Sequence, residues 1–428
     1  MEFFYYNKII IRIYPLVNTQ FLWILGVFTI YKYNLAEFTN FLEIFTPICY
    51  TFFMGFFDDK LELSVTSASG IEAVTKRELE NLGYTPGGAI YGRISFDGNY
   101  HDVGRANMFL RTANRVFINI KRFHAETFDD LFEGIKSIPW HTILPKNARV
   151  IVNAKSFKSK LYALTSIQKI AKKAIVVAMG SLFESGGTYT IEVIVNENEV
   201  LVCLDTSGTA LHKRGYRTFV GEAPLRETLA SAIILLSVWK WDRPFIDPFC
   251  GSGTLPIEAA LIGTNTAPGI NREFAYENFI KAPSIKDKVL EEAKDLITTD
   301  RELRISGFDI NKDAISLAMR HAQNAGVSDK IHFQVADMRT LRSRFGHGVI
   351  VTNPPYGERL LKEEELKILY KDFGDVYRSL DEWSAYVITS YDNFEKYFGK
   401  KSDKTRKLYN SELECKLYRY LGAPPKRK

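Results

Sequence analysis

The sequence of 428 residues lacks the cysteine pattern of a disulfide scaffold or of a zinc site. Its four cysteines, Cys49, Cys203, Cys250 and Cys415, lie far apart, without CxxC pairs or Cys/His spacing that would suit a metal. We therefore expect no disulfide framework and no metal, and the thiols fit the reducing cytoplasm. With 46% hydrophobic and 25% charged residues, the composition also excludes a disordered or collagen-like chain.

Charge is scarce in the first 53 residues, which hold 16 of the 57 aromatic residues but only six of the 106 charges. Residues 13–31 and 44–57 are uncharged, but proline and polar residues interrupt the first run, and the second is too short to span a membrane. No signal-peptide cleavage site follows. Three interpretations stay open: an upstream frame translated ahead of a true start at Met54, a membrane anchor, or a soluble or processed extension. We expect the first, with no membrane contact.

Basic residues are unevenly distributed, although the net charge of +6 is mild. Nineteen residues without an acid contain six lysines, and three more cations follow in a loop. In order, these residues are Lys155, Lys158, Lys160, Lys169, Lys172, Lys173, Lys213, Arg214 and Arg217. Such clustering indicates a surface for a polyanion, although a charge run is often only a solvated helix face.

After residue 57 the hydrophobic periodicity predicts an α/β protein in three units. Residues 58–120 form a small βαβ-like unit, and residues 121–218 contain a helix, a strand, the lysine-bearing helix and a hairpin. In residues 222–422 strands alternate with helices, which is typical of a doubly wound parallel sheet.

A glycine-rich turn is the strongest local signal. Residues 245–258, FIDPFCGSGTLPIE, predict a strand that runs into glycines and then a helix. Glycine lets the backbone approach a ligand, and the helix N-terminus offers unpaired N–H groups. The third glycine of the dinucleotide fingerprint and the Gly-Lys-Ser/Thr of a phosphate-binding loop are both missing, which argues against NAD and ATP.

Two acids follow at the ends of successive predicted strands. Asp309 could accept hydrogen bonds from ribose hydroxyls, and Asp337 could accept one from an adenine amino group. Each residue alone could equally be a helix cap. Their placement on consecutive strand ends after the glycine turn favours an adenosine ligand.

A fourth element is the run NPPYG at residues 353–357, directly after a predicted strand. Two prolines stop sheet pairing and fix the backbone, so the Asn353 side chain and the Pro354 carbonyl can face one cleft. Tyr356 can stack on a flat ring. The arrangement suits an exocyclic amine that is held by its hydrogens, whereas taken alone it could be only a tight turn.

Together, the motifs at 247–258 and 353–356 resemble those of the class I S-adenosylmethionine-dependent methyltransferases that follow a THUMP RNA-binding domain. The chain is most similar to bacterial 23S rRNA guanine-N2 methyltransferases, over about residues 58–420. The resemblance implies a ferredoxin-like domain at 58–120, a THUMP domain at 121–218 and a Rossmann-like methyltransferase domain at 222–422. An insertion, residues 263–300, would loop out of the last domain.

The resemblance also implies roles for single residues. The cofactor loop would consist of Asp247, Gly251, Gly253 and Thr254, with the ribose on Asp309 and the adenine on Asp337. The target base would be held by Asn353, Pro354, Pro355 and Tyr356. From the clustering of the cations, we further expect RNA phosphates to be contacted by Lys158, Lys160, Lys169, Lys172, Lys173, Lys213, Arg214 and Arg217.

The expected function is therefore S-adenosylmethionine-dependent methylation of a guanine N2 amine, in 23S rRNA or a large-subunit assembly intermediate. Adenine-N6 methylation of DNA or RNA fits NPPY equally well, but no DNA target-recognition segment is apparent. A noncatalytic RNA-binding assembly factor is the other alternative. It would tolerate a damaged glycine turn or NPPY run, and both are intact.

Overall fold

The computed structural model describes residues 3–6, 9–12, 56–58, 60–90, 92–217, 225–356 and 363–425. The chain divides into two compact units, residues 1–54 and 55–428. In the first unit, strands β1 (Phe3–Tyr6) and β2 (Ile9–Arg12) form an antiparallel hairpin. The interpretations of residues 1–53 concern residues mostly outside the described part. Within the described part, no helix is long and apolar enough to cross a membrane.

The second unit begins with alternating strands and helices. They are β3 (Leu61–Ser67), α1 (Glu72–Asn81), β4 (Ala89–Ile90), β5 (Arg93–Gly98), α2 (Tyr100–Phe109) and β6 (Ala113–His124). Helix α2 begins at a capping box, in which Asn99 and Asp102 each accept the other's backbone N–H. This capping fixes the start of the helix immediately after β5.

The lysine-rich part of the sequence forms the next six elements. They are α3 (Phe128–Lys136), α4 (Trp140–Ile143), β7 (Arg149–Phe157), α5 (Leu164–Met179), β8 (Thr188–Asn196) and β9 (Glu199–Asp205). Helix α5 has the predicted bounds, and β8 and β9 form the predicted hairpin.

These two groups of strands share one seven-stranded sheet, in the order β4-β5-β3-β6-β9-β8-β7. The long strand β6 joins them, because it pairs with β3 up to Asn119 and with β9 from Phe117 to His124. The domain boundary predicted between residues 120 and 121 therefore falls inside a strand. Helices of both groups pack on a single hydrophobic core.

The C-terminal part contains a second seven-stranded sheet with its helices. In order, the elements are α6 (Glu227–Leu236), β10 (Phe245–Asp247), α7 (Thr254–Gly263), α8 (Lys286–Asp295), β11 (Ile305–Asp309), α9 (Lys312–Asn324), β12 (Ile331–Val335), β13 (Val349–Thr352), α10 (Glu363–Arg378), β14 (Ser384–Thr389), α11 (Phe394–Phe398), β15 (Lys404–Asn410) and β16 (Leu413–Tyr420).

The strand order of this sheet is β12-β11-β10-β13-β14-β16-β15. The first five strands are parallel, and the last two are antiparallel to their neighbours. Chain order runs outward in both directions from β10, so the switch point lies between β10 and β13. In open α/β sheets, ligands bind at the carboxyl ends of the strands beside this point.

Residues 264–300 leave the sheet between α7 and β11, as the insertion was predicted to do, and pack on α2. A Cβ at Gly104 of α2 would lie 2.8 Å from Ile285 and 2.9 Å from Val289, so a larger residue there would require these side chains to shift. Arg105 adds an ion pair with Glu292, at 2.9 Å. The insertion therefore joins the N-terminal core to the C-terminal sheet.

Candidate functional site

The glycine turn lies at the carboxyl end of β10, between Asp247 and α7. Gly251 and Gly253 have φ values of +51° and +84°, a region that favours glycine. A Cβ at Gly253 would lie 2.9 Å from the Ala318 Cβ and 3.0 Å from the Phe333 ring, whereas no atom lies within 4 Å of a Cβ at Gly251. Gly253 thus packs on the neighbouring elements, and Gly251 leaves open space for a ligand.

We expect Gly253→Ala to weaken cofactor binding strongly. The left-handed backbone costs a non-glycine residue about 1 kcal/mol or more, and forcing a methyl group against Ala318 adds about 1–3 kcal/mol. Titration calorimetry with S-adenosylhomocysteine should therefore show at least a tenfold loss of affinity, since about 1.4 kcal/mol suffices for that factor. Gly326→Ala is the matched control, because Gly326 has φ +72° but nothing within 4 Å of its Cβ position. Equal affinities of the two variants would contradict this assignment.

Asp247 is buried, with 1% of its surface exposed, and it links the two strands of the switch point. Its Oδ1 accepts hydrogen bonds from Thr352 Oγ1 at the end of β13, at 2.6 Å, and from the Phe249 N–H, at 3.2 Å. Burial raises the pKa of the carboxyl to about 7. The residue therefore fixes the start of the predicted cofactor loop to the strand that carries Asn353.

This pKa predicts a pH dependence of stability that Asp247→Asn should abolish. The unfolded carboxyl has a pKa near 3.8, so between about pH 4 and pH 7 the unfolded chain releases a proton that the folded chain keeps. Stability consequently falls as pH rises through this window. Relative to the variant, wild type should lose about 2–3 kcal/mol of unfolding free energy between pH 5 and pH 8 in urea titrations. Parallel pH profiles would refute the raised pKa.

Asp309 ends β11 and joins its loop to the glycine turn. One carboxylate oxygen accepts the Gly251 N–H and the other accepts the Asn311 N–H, both at 2.9 Å. A carboxylate offers about four acceptor positions, so two stay available for hydroxyl groups. Binding of a ribose by Asp309 stays a prediction, and the geometry is compatible with it.

Asp337, at the end of β12, has the capping role that was weighed against adenine binding. Its side chain accepts the Arg339 N–H and the Arg339 guanidinium, both at 2.9 Å, at the start of a short 3-10 helix. The backbone hydrogen bond, followed by the guanidinium, lowers the pKa of this carboxyl. An adenine contact of Asp337 stays a prediction.

Asn353 directly follows β13, and the last residue of that strand, Thr352, donates a hydrogen bond to Asp247. The Asn353 Oδ1 is buried and has no hydrogen-bond partner among the residues that the structure describes. Leaving such an acceptor unpaired costs about 1–3 kcal/mol, so the atom is poised to take a hydrogen-bond donor from a ligand. This unpaired acceptor is the chemical centre of the candidate site.

The remaining residues of the NPPY run are held by the core. Pro354 is buried, and the Pro355 carbonyl accepts the Tyr370 hydroxyl at 2.6 Å. Burial raises the pKa of Tyr356 to about 12, and its hydroxyl interacts with Asn410, Cys415 and Asn353. The aromatic ring is thus tethered at its polar end beside the Asn353 amide.

Several residues of this site carry no sequence motif. Thr352, Tyr370 and Asn410 position the two predicted motifs, but they come from different elements and are separated by up to 58 positions. Only the adjacency of Thr352 to Asn353 could have indicated one of them. Sequence spacing does not show which strands become neighbours.

The basic residues predicted to contact RNA divide into two groups. Lys158, Lys160, Lys169 and Lys173 are exposed and Lys172 is half-exposed, on α5 and the preceding loop, and Lys213 is also exposed. Lys158, Lys160 and Lys172 pair with glutamates at 3.6, 2.5 and 2.7 Å. Such surface pairs contribute little and can exchange for phosphates. RNA contact by these lysines stays a prediction.

The structure corrects the prediction for Arg214 and Arg217, which point inward. Arg214 is 4% exposed and lies 3.6 Å from Glu258 of α7. Arg217 donates to Thr254 Oγ1 at 2.5 Å and pairs with Glu227 at 3.2 Å. The sequence shows a run of cations, but not that acids of α6 and α7 pack against it.

Thr254 is the last residue of the predicted cofactor loop, and a cofactor contact of Thr254 stays a prediction. It is buried and begins α7, where its hydroxyl accepts the Arg217 guanidinium. Four residues later on the same helix, Glu258 accepts the Tyr216 hydroxyl at 3.1 Å and the Ser231 hydroxyl. The segment 214–217 therefore braces the helix that follows the glycine turn.

Three parts of the chain match known domain families. Residues 62–117 match the RlmL ferredoxin-like domain, residues 125–205 the THUMP domain, and residues 214–419 the RMKL-like methyltransferase domain. "Putative RNA methyltransferase YpsC" of Bacillus subtilis is 41% identical over 370 residues, which cover 84% of this chain and 96% of that protein. The chain belongs to the same methyltransferase family as this Bacillus subtilis protein. The predicted class I S-adenosylmethionine-dependent methyltransferase fold, with ferredoxin-like and THUMP domains ahead of it, is confirmed.

One more relative and two solved structures are also similar to the chain. "Ribosomal RNA large subunit methyltransferase K/L" of Syntrophotalea carbinolica is 31% identical over 85% of this chain, which spans 54% of that protein's length. The crystal structure of SMU.472, described as a putative methyltransferase complexed with SAH, superposes with a TM-score of 0.81 at 41% identity, covering 86% of this chain and 99% of that one. A Listeria monocytogenes structure described as a predicted N6-adenine-specific DNA methylase has a TM-score of 0.82 at 45% identity, covering 85% and 97%.

Proposed function

We propose that this methyltransferase transfers a methyl group to the exocyclic N2 amine of a guanine in 23S rRNA, as free RNA or as a large-subunit assembly intermediate. The observation that carries the proposal is the buried Asn353 Oδ1 at the switch point of the sheet, which has no hydrogen-bond partner among the described residues. An exocyclic amine supplies the hydrogen that this acceptor lacks. A hydroxyl or ring nitrogen target would not require an oriented pair of acceptors.

The residues around the glycine turn fit S-adenosylmethionine. Its sulfonium supplies an electrophilic methyl group when it is bound. Open space at Gly251, the N-terminus of α7, where no side chain caps the helix at Gly253, and the acceptor positions that two backbone hydrogen bonds leave free on Asp309 suit a ligand that carries a carboxylate and a ribose. Asp337 is the candidate for the adenine, through acceptor positions that Arg339 leaves free.

The amine would be oriented by two acceptors, Asn353 Oδ1 and the Pro354 carbonyl. By holding the amine hydrogens, they aim the nitrogen lone pair toward the cofactor side of the switch point. They also stabilise the positive charge that develops on nitrogen during attack. Tyr356 would stack on the base, which has to leave its helix to enter the pocket.

The RNA substrate is supported by the THUMP match and by the names of the YpsC and K/L relatives. The exposed lysines of α5 and its preceding loop would hold phosphates, which gives salt-sensitive affinity with little sequence reading. A ribosomal substrate would place the protein in the cytoplasm.

A second candidate is methylation of an adenine N6 amine, because the same acceptor pair fits it. The Listeria structure described as a predicted N6-adenine-specific DNA methylase favours this alternative. A noncatalytic assembly factor is disfavoured by the intact glycine turn and by the Asn353 acceptor, which no described residue pairs with and which such a factor would not need to keep.

Purified protein, labelled S-adenosylmethionine and rRNA from a strain that lacks the gene would test the proposal. After digestion to nucleosides, label should appear in N2-methylguanosine. Label in N6-methyladenosine alone would reject the base. A parallel reaction with genomic DNA should yield no labelled nucleoside, and label in the DNA with none in the rRNA would reject RNA as the substrate.

A further inference from the structure

A groove of about 560 Å³ opens at the amino ends of the parallel strands, opposite the candidate active site. The first residues of three strands line it: Phe245 of β10, Ile305 of β11 and Ile331 of β12. We call it the amino-end groove. Its volume lies within the range of about 300–1,000 Å³ that small-ligand sites occupy, which includes nucleotide-sized ligands.

The rim of the amino-end groove is strongly basic. It contains four cationic side chains and one acid: Arg304, Lys330, Arg342, Arg344 and Asp329. Asp329 pairs with Lys330 at 3.3 Å, so it offsets a single cation. Within the described part of the chain, Arg304, Arg342 and Arg344 have no carboxylate partner. Three arginines that line the groove thus have no carboxylate against their charge in the described part of the chain.

An aromatic ring stands among these arginines. Phe345 is 38% exposed, and the guanidinium carbons of Arg304 and Arg344 each lie 5.0 Å from its ring centroid. Arginines stacked on an exposed ring are a combination with which single-stranded RNA is bound, because bases stack on rings and on guanidinium planes while the guanidinium N–H groups hold phosphates.

The loop that carries these residues is fixed before any ligand arrives. The Phe345 carbonyl accepts the Trp383 indole N–H at 2.9 Å, and the Trp383 ring occupies the space where a Cβ at Gly348 would lie. The Arg342 guanidinium donates to the carbonyls of Arg339 and Leu341. Preorganisation of this kind lowers the entropy cost of binding.

We infer that the amino-end groove binds a single-stranded segment of the RNA substrate, as a second contact site apart from the THUMP surface and the Asn353 pocket. This inference rests on the proposed RNA substrate. The two ends of a five-residue strand are about 17 Å apart. RNA that passes the edge strand β12 can therefore occupy the groove while a base several nucleotides away along the same strand enters the pocket.

The test uses the full chain and a fluorescent single-stranded oligouridylate, titrated over a series of salt concentrations. Arg342→Gln with Arg344→Gln should weaken binding and reduce the salt slope by about 1.4, because each lost phosphate contact on a single strand contributes about 0.7. Phe345→Leu should weaken binding without changing the slope. The control, Lys288→Gln with Lys294→Gln, removes two exposed charges of α8 outside the groove.

Arginine variants that bind RNA like the lysine control would overturn the inference. Binding of AMP is measured as well, because a free nucleotide carries the same phosphate group as RNA. Wild-type binding of AMP that the arginine variants lose, with RNA affinity unchanged, would also overturn it. A loss of RNA affinity while the nucleoside assay gives no N2-methylguanosine would support the groove and reject only the base assignment.

Discussion

Asn353→Ala should lower kcat by about 100-fold or more while leaving the affinity for S-adenosylhomocysteine unchanged. Removal of one preorganised polar group that stabilises charge in a transition state typically costs a factor of about 10²–10³. The side chain lies beyond β13 and bonds none of the glycine-turn residues among the contacts that the structure describes. The loss should therefore appear in turnover and not in cofactor binding.

Two further variants separate chemistry from folding. Asn353→Asp keeps an acceptor oxygen in the same place, so it should retain more activity than alanine does. Asn153→Ala removes an exposed asparagine of β7 and should leave turnover unchanged. If kcat of Asn353→Ala equals that of wild type, the acceptor role is wrong. An equal loss in the aspartate and alanine variants would indicate that packing matters and hydrogen bonding does not.

The second large effect concerns stability at Glu258, which is fully buried in α7. Its carboxylate accepts the hydroxyls of Tyr216 and Ser231 and lies 3.6 Å from the Arg214 guanidinium. Glu258→Ala would leave a buried cation and two hydroxyls without this acceptor. Removal of one partner of a buried ion pair costs about 3–5 kcal/mol, so urea unfolding should show a loss of that order.

The matched control is Glu363→Ala, whose side chain is exposed and pairs with Lys367 one helical turn away. Such a pair contributes about 0.5 kcal/mol or less. Replacement of both Glu258 and Arg214 by leucine should recover part of the loss, because no buried charge is then left alone. If Glu258→Ala loses as little unfolding free energy as Glu363→Ala, the buried Glu258–Arg214 pair does not stabilise the fold as described.

Local patterns predicted most of the fold. Helix α5 and the β8–β9 hairpin have their predicted positions because periodicity, caps and turn residues are local signals. The sequence does not show that both groups of strands share β6. Its pairing with β3 along one half and with β9 along the other is a long-range property. Likewise, nothing local indicated that residues 264–300 pack on α2.

In the candidate site, too, local signals were predictable from the sequence and long-range contacts were not. Two motifs predicted the glycine turn and the NPPY run, and the structure brings them together through the hydrogen bond from Thr352 to Asp247. The clustering of cations in the sequence predicts that Arg214 and Arg217 contact RNA phosphates. Burial against Glu258 and Glu227 depends on helices that follow the arginines in the sequence, so spacing could not reveal it.

The most direct test of the central claim is the modified-nucleoside content of 23S rRNA from a strain that lacks the gene. Mass spectrometry should show less N2-methylguanosine than in the parent strain. A copy of the wild-type gene should restore it, and a copy encoding Asn353→Ala should not. Unchanged N2-methylguanosine in the deletion strain, or restoration by the alanine variant, would contradict the account.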